Sequence, residues 1–379
     1  MRRRDLLALL AGAALPWPQA TRAAQTELDE AVDFTGQILF VASKVPALVI
    51  GVVQNGRTSI HGFGRRADGS DAEPDGDTLF RIGSITKAFT GQVLASLAAD
   101  GVVSLADPLT KYVPDFFDPL SEAGRPVRLI DLATHSAGLP REVPHQPGPP
   151  DNPFVHITRE AFVAWLKANP LLFTPGTAVS YSNFGFDLLA AALSAAAKKP
   201  YPELVAERVL GPLYLSDTTF APSGSQTARL MRGHNFDGSA MPYAPTGEVI
   251  VGSGGLYSTP RDLLSWLHWH LDRMSDEGAR ERLIDHAAYL WRDGLHTVYG
   301  VDESGHMDAM ALGWVIMAPE GDRPLILQKA GGLQGVFSYV AFAPTRNVAV
   351  AVAINAFDVN AGLGMAKAAN ELIAALAPR

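Results

Sequence analysis

The 379-residue chain contains no cysteine. Disulfides, thiol nucleophiles, Cys-ligated zinc and iron–sulfur clusters are therefore excluded from its chemistry. It also lacks the His-Glu-x-x-His pattern of zinc peptidases and the Gly-x-Ser-x-Gly turn of α/β-hydrolases. No convincing phosphate-binding loop and no repeat of solenoid or propeller period is found. Charge is sparse, at 18% of residues, and leans acidic, with a formal net charge of −8. That balance argues against nucleic acid or an anionic membrane surface as a partner. The apolar run at the N-terminus, Leu6 to Leu15, is about half of the ~20 residues that span a bilayer, so no permanent membrane anchor is expected.

What the N-terminus does contain is an address. Arg2, Arg3 and Arg4 precede the apolar run, and Thr21-Arg22-Ala23-Ala24 follows it. A basic segment, a short apolar segment and small residues make a secretory signal over residues 1–23. Arg3-Arg4-Asp5-Leu6-Leu7 resembles the twin-arginine form, which predicts export to the periplasm. Residues 1–23 carry a net charge of +3, so the mature chain, residues 24–379, would stand at −11. With 47% hydrophobic residues it reads as an ordinary globular enzyme, one catalytic domain.

Periodicity gives the architecture. Ala47 to Val53 is an apolar, β-branched run, and Asn55-Gly56 separates it from Arg57 to Phe63. Asn-Gly between two such runs predicts a hairpin with a type I′ turn. Ser84 to Asp100 reads as a helix that stops at Gly101, and Phe162 to Ala168, Phe184 to Ala197 and Arg261 to Leu271 show helical spacing. Residues 141–153 are crowded with prolines and read as a loop. Strand patterns return at Leu325 to Gln328, Phe337 to Phe342 and Val348 to Ile354, and a helix from about Leu363 to Leu376 closes the chain. The pattern predicts an α/β (α+β) fold. Its antiparallel sheet is built from both termini (about 24–83 and 250–379) and flanked by helices, with a mostly helical insertion over about 84–249.

Three short patterns carry the chemistry. Ser84-Ile85-Thr86-Lys87 places a hydroxyl and an amine on one helix face, where a desolvated lysine is able to activate the serine. Read alone, it is equally a helix cap beside a solvated lysine. Tyr181-Ser182-Asn183 supplies a phenol and an amide, or simply a turn leading into a helix. Lys329-Ala330-Gly331-Gly332 supplies a cation and close backbone approach at a strand, or a charged edge that discourages aggregation. Each of the patterns Ser-x-x-Lys, Tyr-x-Asn and Lys-x-Gly occurs once, in this order. His268 and His270, which flank Trp269, read as structural, and no metal site or cofactor is predicted.

Together the three patterns resemble those of the serine β-lactamases and penicillin-binding proteins. The likeness is greatest to the class C branch and, within it, to the AmpH-type D-alanyl-D-alanine carboxypeptidases/endopeptidases. Leu132 to Glu142, Phe186 to Leu189, Gly252 to Pro260, Leu312 to Val315 and Ser338 to Pro344 extend the likeness over nearly the whole mature chain. The resemblance implies that Ser84 is the acyl-accepting nucleophile and that Lys87 and Tyr181 handle its proton as a coupled pair. It implies an oxyanion site from the N–H groups of Ser84 and Gly332, beside Gly331. Asn183 would hold the substrate amide and Lys329 an anionic ligand, while Asn355 would either face the substrate carboxylate, as at the matching position of class C relatives, or stand as a buried strand-end amide. The expected activity is a penicillin-binding periplasmic DD-carboxypeptidase/endopeptidase on peptidoglycan peptides. The alternatives are an esterase on small acyl esters, a class C β-lactamase, and a catalytically dead muropeptide-binding module. Ala330 stands where the family usually has a threonine whose hydroxyl bonds the substrate carboxylate, which favours the esterase.

Overall fold

The computed structural model describes residues 17–67, 69, 71–116, 125–247 and 249–379. Residues 1–16 of the expected signal segment lie outside these. Residues 17–23 open a long helix, α1 (Trp17–Ser43), that periodicity had not suggested. Leu28, Val32 and Leu39 form its buried stripe, spaced to share one helical face.

The Asn55-Gly56 turn, with φ of 50° and 76°, joins β1 (Ala47–Gln54) to β2 (Arg57–Gly64) as expected for type I′. Six further strands come from the C-terminal third: β3 (Leu290–Trp291), β4 (Ala309–Met310), β5 (Val315–Met317), β6 (Ile326–Leu333), β7 (Val336–Ala343) and β8 (Val348–Ile354). They make one antiparallel sheet in the order β2-β1-β8-β7-β6-β5-β4-β3. The N-terminal hairpin therefore completes a sheet that the C-terminus began. The fold class read from the sequence is the one observed.

Both faces of this sheet are covered, which is why its central strands read as unbroken apolar runs. Alternation within them sorts the residues by size. In β8, Val348, Val350, Val352 and Ile354 join the apolar cluster under α1 and the closing helix α7 (Val359–Leu376). Ala349, Ala351 and Ala353 point to the other cluster, beneath α5 (Pro260–Leu271). Small residues on that face let the helix sit close. At Gly51 of β1 an added Cβ would stand 2.7 Å from Leu264 of α5. Between the two parts of the sheet the chain contributes α2 (Thr86–Ala99), α3 (Arg159–Ala168) and α4 (Asn183–Ala197). α2 is so enclosed that Lys87 is fully buried.

His270 is buried on α5 and joins a polar knot with α6 (Ala279–Asp285). Its Nδ1 lies 2.8 Å from His286 Nε2, and Trp314 donates its indole N–H to Asp285. His268 is exposed. Among the described residues no helix is long and apolar enough to cross a membrane.

The expectation that Asn355 faces a ligand is corrected here. Its side chain is 0% exposed at the end of β8, where Oδ1 accepts from Ala47 N at 2.7 Å and Nδ2 donates to Arg232 O at 3.0 Å. Both ends of the amide are bonded to backbone, which ties β1 to the 232 segment. Asn355→Ala should destabilise the protein by about 1–3 kcal/mol for each backbone group left unpaired. Urea unfolding measures this loss, while the rate of Ser84 acylation in the surviving native fraction should stay unchanged.

Candidate active site

Ser84 lies in a short 3-10 turn, Gly83–Ile85, that feeds directly into α2. Gly83 adopts φ 51°, and a Cβ there would approach Gly332 N to 2.8 Å. A side chain would thus push the Ser84 turn off β6. Gly331 has the same function from the strand side, where a Cβ would meet Ile82 O at 2.0 Å. Backbone contact, allowed by two glycines, is what brings the backbone nitrogen of Gly332 beside the Ser84 turn. Strand β5 pairs with β6 only at Ile326, Leu327 and Gln328, so the stretch carrying Lys329, Gly331 and Gly332 extends beyond that neighbour.

Ser84 Oγ lies 2.6 Å from Tyr181 Oη and 3.0 Å from Lys87 Nζ. Lys87 Nζ also donates to Ser253 O at 2.6 Å and to Asn183 Oδ1 at 2.5 Å. Burial favours the uncharged amine and pulls the Lys87 pKa down to about 7. Asp187 and Glu142 oppose that shift, and Arg141 adds to it. Asp187 accepts from both the N–H and the hydroxyl of Ser253 at 3.0 Å, and burial raises its own pKa well above the usual carboxylate range. Glu142 accepts a hydrogen bond from Asn183 Nδ2, which fixes the amide with its oxygen toward Lys87.

Tyr181 is delivered by a different device. A two-residue parallel pair, Val179–Ser180 with Val298–Tyr299, holds the backbone, and Tyr181 N donates to Tyr299 O. The ring stacks on His135 at 4.5 Å between centroids and has three basic side chains about it: Arg141 at 4.7 Å, Lys329 at 4.8 Å and Lys87 at 4.9 Å. His135 Nδ1 accepts from Ser182 N at 3.0 Å, which places the imidazole proton on Nε2. Burial, with Lys329, Lys87 and Arg141 nearby, holds this imidazole neutral, its pKa well below the usual value. Burial likewise lowers the Lys329 pKa to about 8.

The structure therefore brings Ser84, Lys87, Tyr181, Asn183, Lys329, Gly331 and Gly332 together and leaves Asn355 apart. It adds Glu142, Asp187, Ser253 and His135, whose functional signal lay in tertiary neighbours rather than in local spacing. Ser84, Tyr181 and Lys329 open into a cavity of about 490 Å³. Arg141 and Glu303 provide charge at its rim, and Phe337, Phe357, Leu363 and Met365 give it an apolar wall. A hydroxyl in contact with a desolvated amine and a phenol, beside two backbone nitrogens, is suited to acyl transfer.

A direct consequence concerns pH. The rate of Ser84 acylation should rise with pH through a midpoint near 7, as Lys87 loses its proton. Glu142→Gln removes a charge that favours the ammonium, so its midpoint should move to lower pH. Stopped-flow acylation across pH 5–9 measures both, and a Glu142→Gln profile that overlays the parent would contradict the assigned coupling.

The β-lactamase family model matches residues 24–375. The Escherichia coli K12 protein named D-alanyl-D-alanine-carboxypeptidase/endopeptidase AmpH is 36% identical over 351 residues, covering 91% of this chain and 88% of that protein. A β-lactamase of Pseudomonas fluorescens is 26% identical, over 93% of this chain and 99% of its own. Among solved structures, a β-lactamase/D-alanine carboxypeptidase from Yersinia pestis, complexed with citrate, superposes with a TM-score of 0.80 at 36% identity. It covers 92% of this chain and 98% of that one. Fold, site geometry and these likenesses agree: the chain belongs to the β-lactamase family and is a serine hydrolase.

Proposed function

We propose that the protein is a periplasmic DD-carboxypeptidase/endopeptidase that acts on peptidoglycan stem peptides and forms an acyl-enzyme with penicillin. The observation that carries this reading is the Ser84 Oγ contact with both Lys87 Nζ and Tyr181 Oη inside a cation-lined cleft. The 36% identity to a protein named as such a peptidase supports the substrate class.

In the proposed mechanism Ser84 Oγ attacks the carbonyl that precedes the terminal D-alanine. Its proton passes to the neutral Lys87 amine, directly or through Tyr181. The oxyanion receives hydrogen bonds from the N–H groups of Ser84 and Gly332, commonly the largest single contribution to such catalysis. Collapse breaks the C–N bond, the leaving amine takes the proton back from the Lys87–Tyr181 pair, and water then releases the acyl group from Ser84. Asn183 keeps the amine in register. Lys329 and Arg141 make the cleft positive where a substrate carboxylate would lie. Export by the twin-arginine route would place the enzyme beside this substrate.

A second reading, an esterase for small acyl esters, is favoured by Ala330. It lines the cleft with no hydroxyl to offer a carboxylate, and the opposite wall is apolar. A missing charge-assisted hydrogen bond weakens carboxylate binding by about ten- to a hundredfold.

The purified enzyme should release D-alanine from a pentapeptide muropeptide or from a cross-linked dimer, and Ser84→Ala should abolish this. Intact-mass measurement with benzylpenicillin should show one adduct, on Ser84. Hydrolysis of short nitrophenyl esters without D-alanine release from either muropeptide would select the esterase instead. Ala330→Thr should then raise kcat/KM for carboxylate-bearing substrates about tenfold or more.

A further inference from the structure

We infer a second ligand site, distinct from the Ser84 cleft, that takes a carboxylate on an apolar or aromatic body. It is a cavity of about 250 Å³ beneath the segment running from Leu230 to Tyr243, and its floor is Arg81. Arg81 is only 3% exposed, so its guanidinium is charged and almost wholly removed from water. Buried charges of this kind are normally paired with an opposite charge. Here every acceptor among the described residues is neutral. Nη1 donates to Ala244 O at 2.9 Å and to Gln334 Oε1, and Nη2 donates to Thr246 Oγ1 at 2.9 Å. The Tyr257 ring lies against the cation at 4.9 Å.

Two donors at this place have no acceptor: Arg81 Nε and Gln334 Nε2, both buried. Both residues line the cavity, as does a second guanidinium, Arg232, and no described lining residue carries a carboxylate. A cavity whose described lining has two arginines, two unused N–H donors and no carboxylate has the chemistry of an anion site. Gln334 covers Arg81 with a neutral carbonyl where an anion would compensate the charge. The walls fix the rest of the ligand. Met231, Met241, Val336 and the stacked pair Tyr243–Tyr257 favour a flat apolar body. The lack of a carboxylate in the described lining disfavours a free ammonium, so an N-acylated or aromatic acid fits and a zwitterionic amino acid does not. Gln334 follows directly on β6, and Arg81 lies three residues before Ser84, so the site sits at the back of the catalytic strand.

The test uses the full chain with benzoate as probe, and benzylamine and inorganic phosphate as comparisons, followed by calorimetric titration and thermal unfolding. Benzoate should bind saturably and raise Tm, with benzylamine inert and phosphate weaker. Gln334→Glu, which tethers a carboxylate against Arg81, should raise Tm by itself and weaken benzoate binding at least about tenfold. Gln334→Leu, which removes the neutral cover, should lower Tm and show a larger benzoate-induced rise than the parent. Lys329→Gln should leave benzoate binding intact. Benzoate binding that survives Gln334→Glu, or that disappears in Lys329→Gln, would overturn the site. Phosphate binding tighter than benzoate would overturn the carboxylate assignment.

Discussion

The structure turns on one energetic conflict, an amine placed where water cannot reach it. Lys87 sits on the first turn of a helix enclosed by the rest of the fold, and burial works against its charge. The charges of Asp187 and Glu142, groups held by Ser253 and Asn183, partly oppose what burial does. The result is a base whose proton affinity lies near neutrality rather than three pH units above it. The serine at one turn's distance is then in contact with a group that accepts a proton at working pH. Much of the fold can be read as the means of keeping that amine dry and in place.

The same constraint explains why distant parts of the chain meet here. The helix that carries Ser84 and Lys87 abuts a strand from the C-terminal third, and the contact is backbone against backbone at Gly83 and Gly331. Side chains at either position would hold the Gly332 nitrogen away from the Ser84 turn. The phenol of Tyr181 arrives on a third segment, fixed by a two-residue parallel pair and by a neutral imidazole beneath the ring. Basic side chains on several sides of that ring favour a cleft that receives anions.

Local chemistry was legible in the sequence wherever it has a local cause. Asn55-Gly56 specified the hairpin because few other residues accept positive φ at both turn positions. Ser84, Lys87, Tyr181, Asn183 and Lys329 were legible as three short patterns, and the sheet built from both termini followed from where the β-branched runs fall. Helix α1 was missed because a signal reading claimed its first turns and its buried residues are widely spaced. Strands β3, β4 and β5, two or three residues each, are too short to show a period. His135, Glu142, Asp187 and Ser253 owe their importance to partners far away in the chain, which no spacing reveals. At Asn355 the matching family position suggested a ligand contact and the strand end a buried amide, and the strand end uses that amide for backbone.

The central claim, that Lys87 is a neutral-range base, is tested most directly by the titration of its own side chain. Protein carrying lysine labelled with carbon-13 at Cε, with the Lys87 signal assigned by its loss in Lys87→Arg, should show that resonance shifting with a midpoint near pH 7. A Lys87 resonance that stays at the ammonium position up to pH 9 would contradict the account.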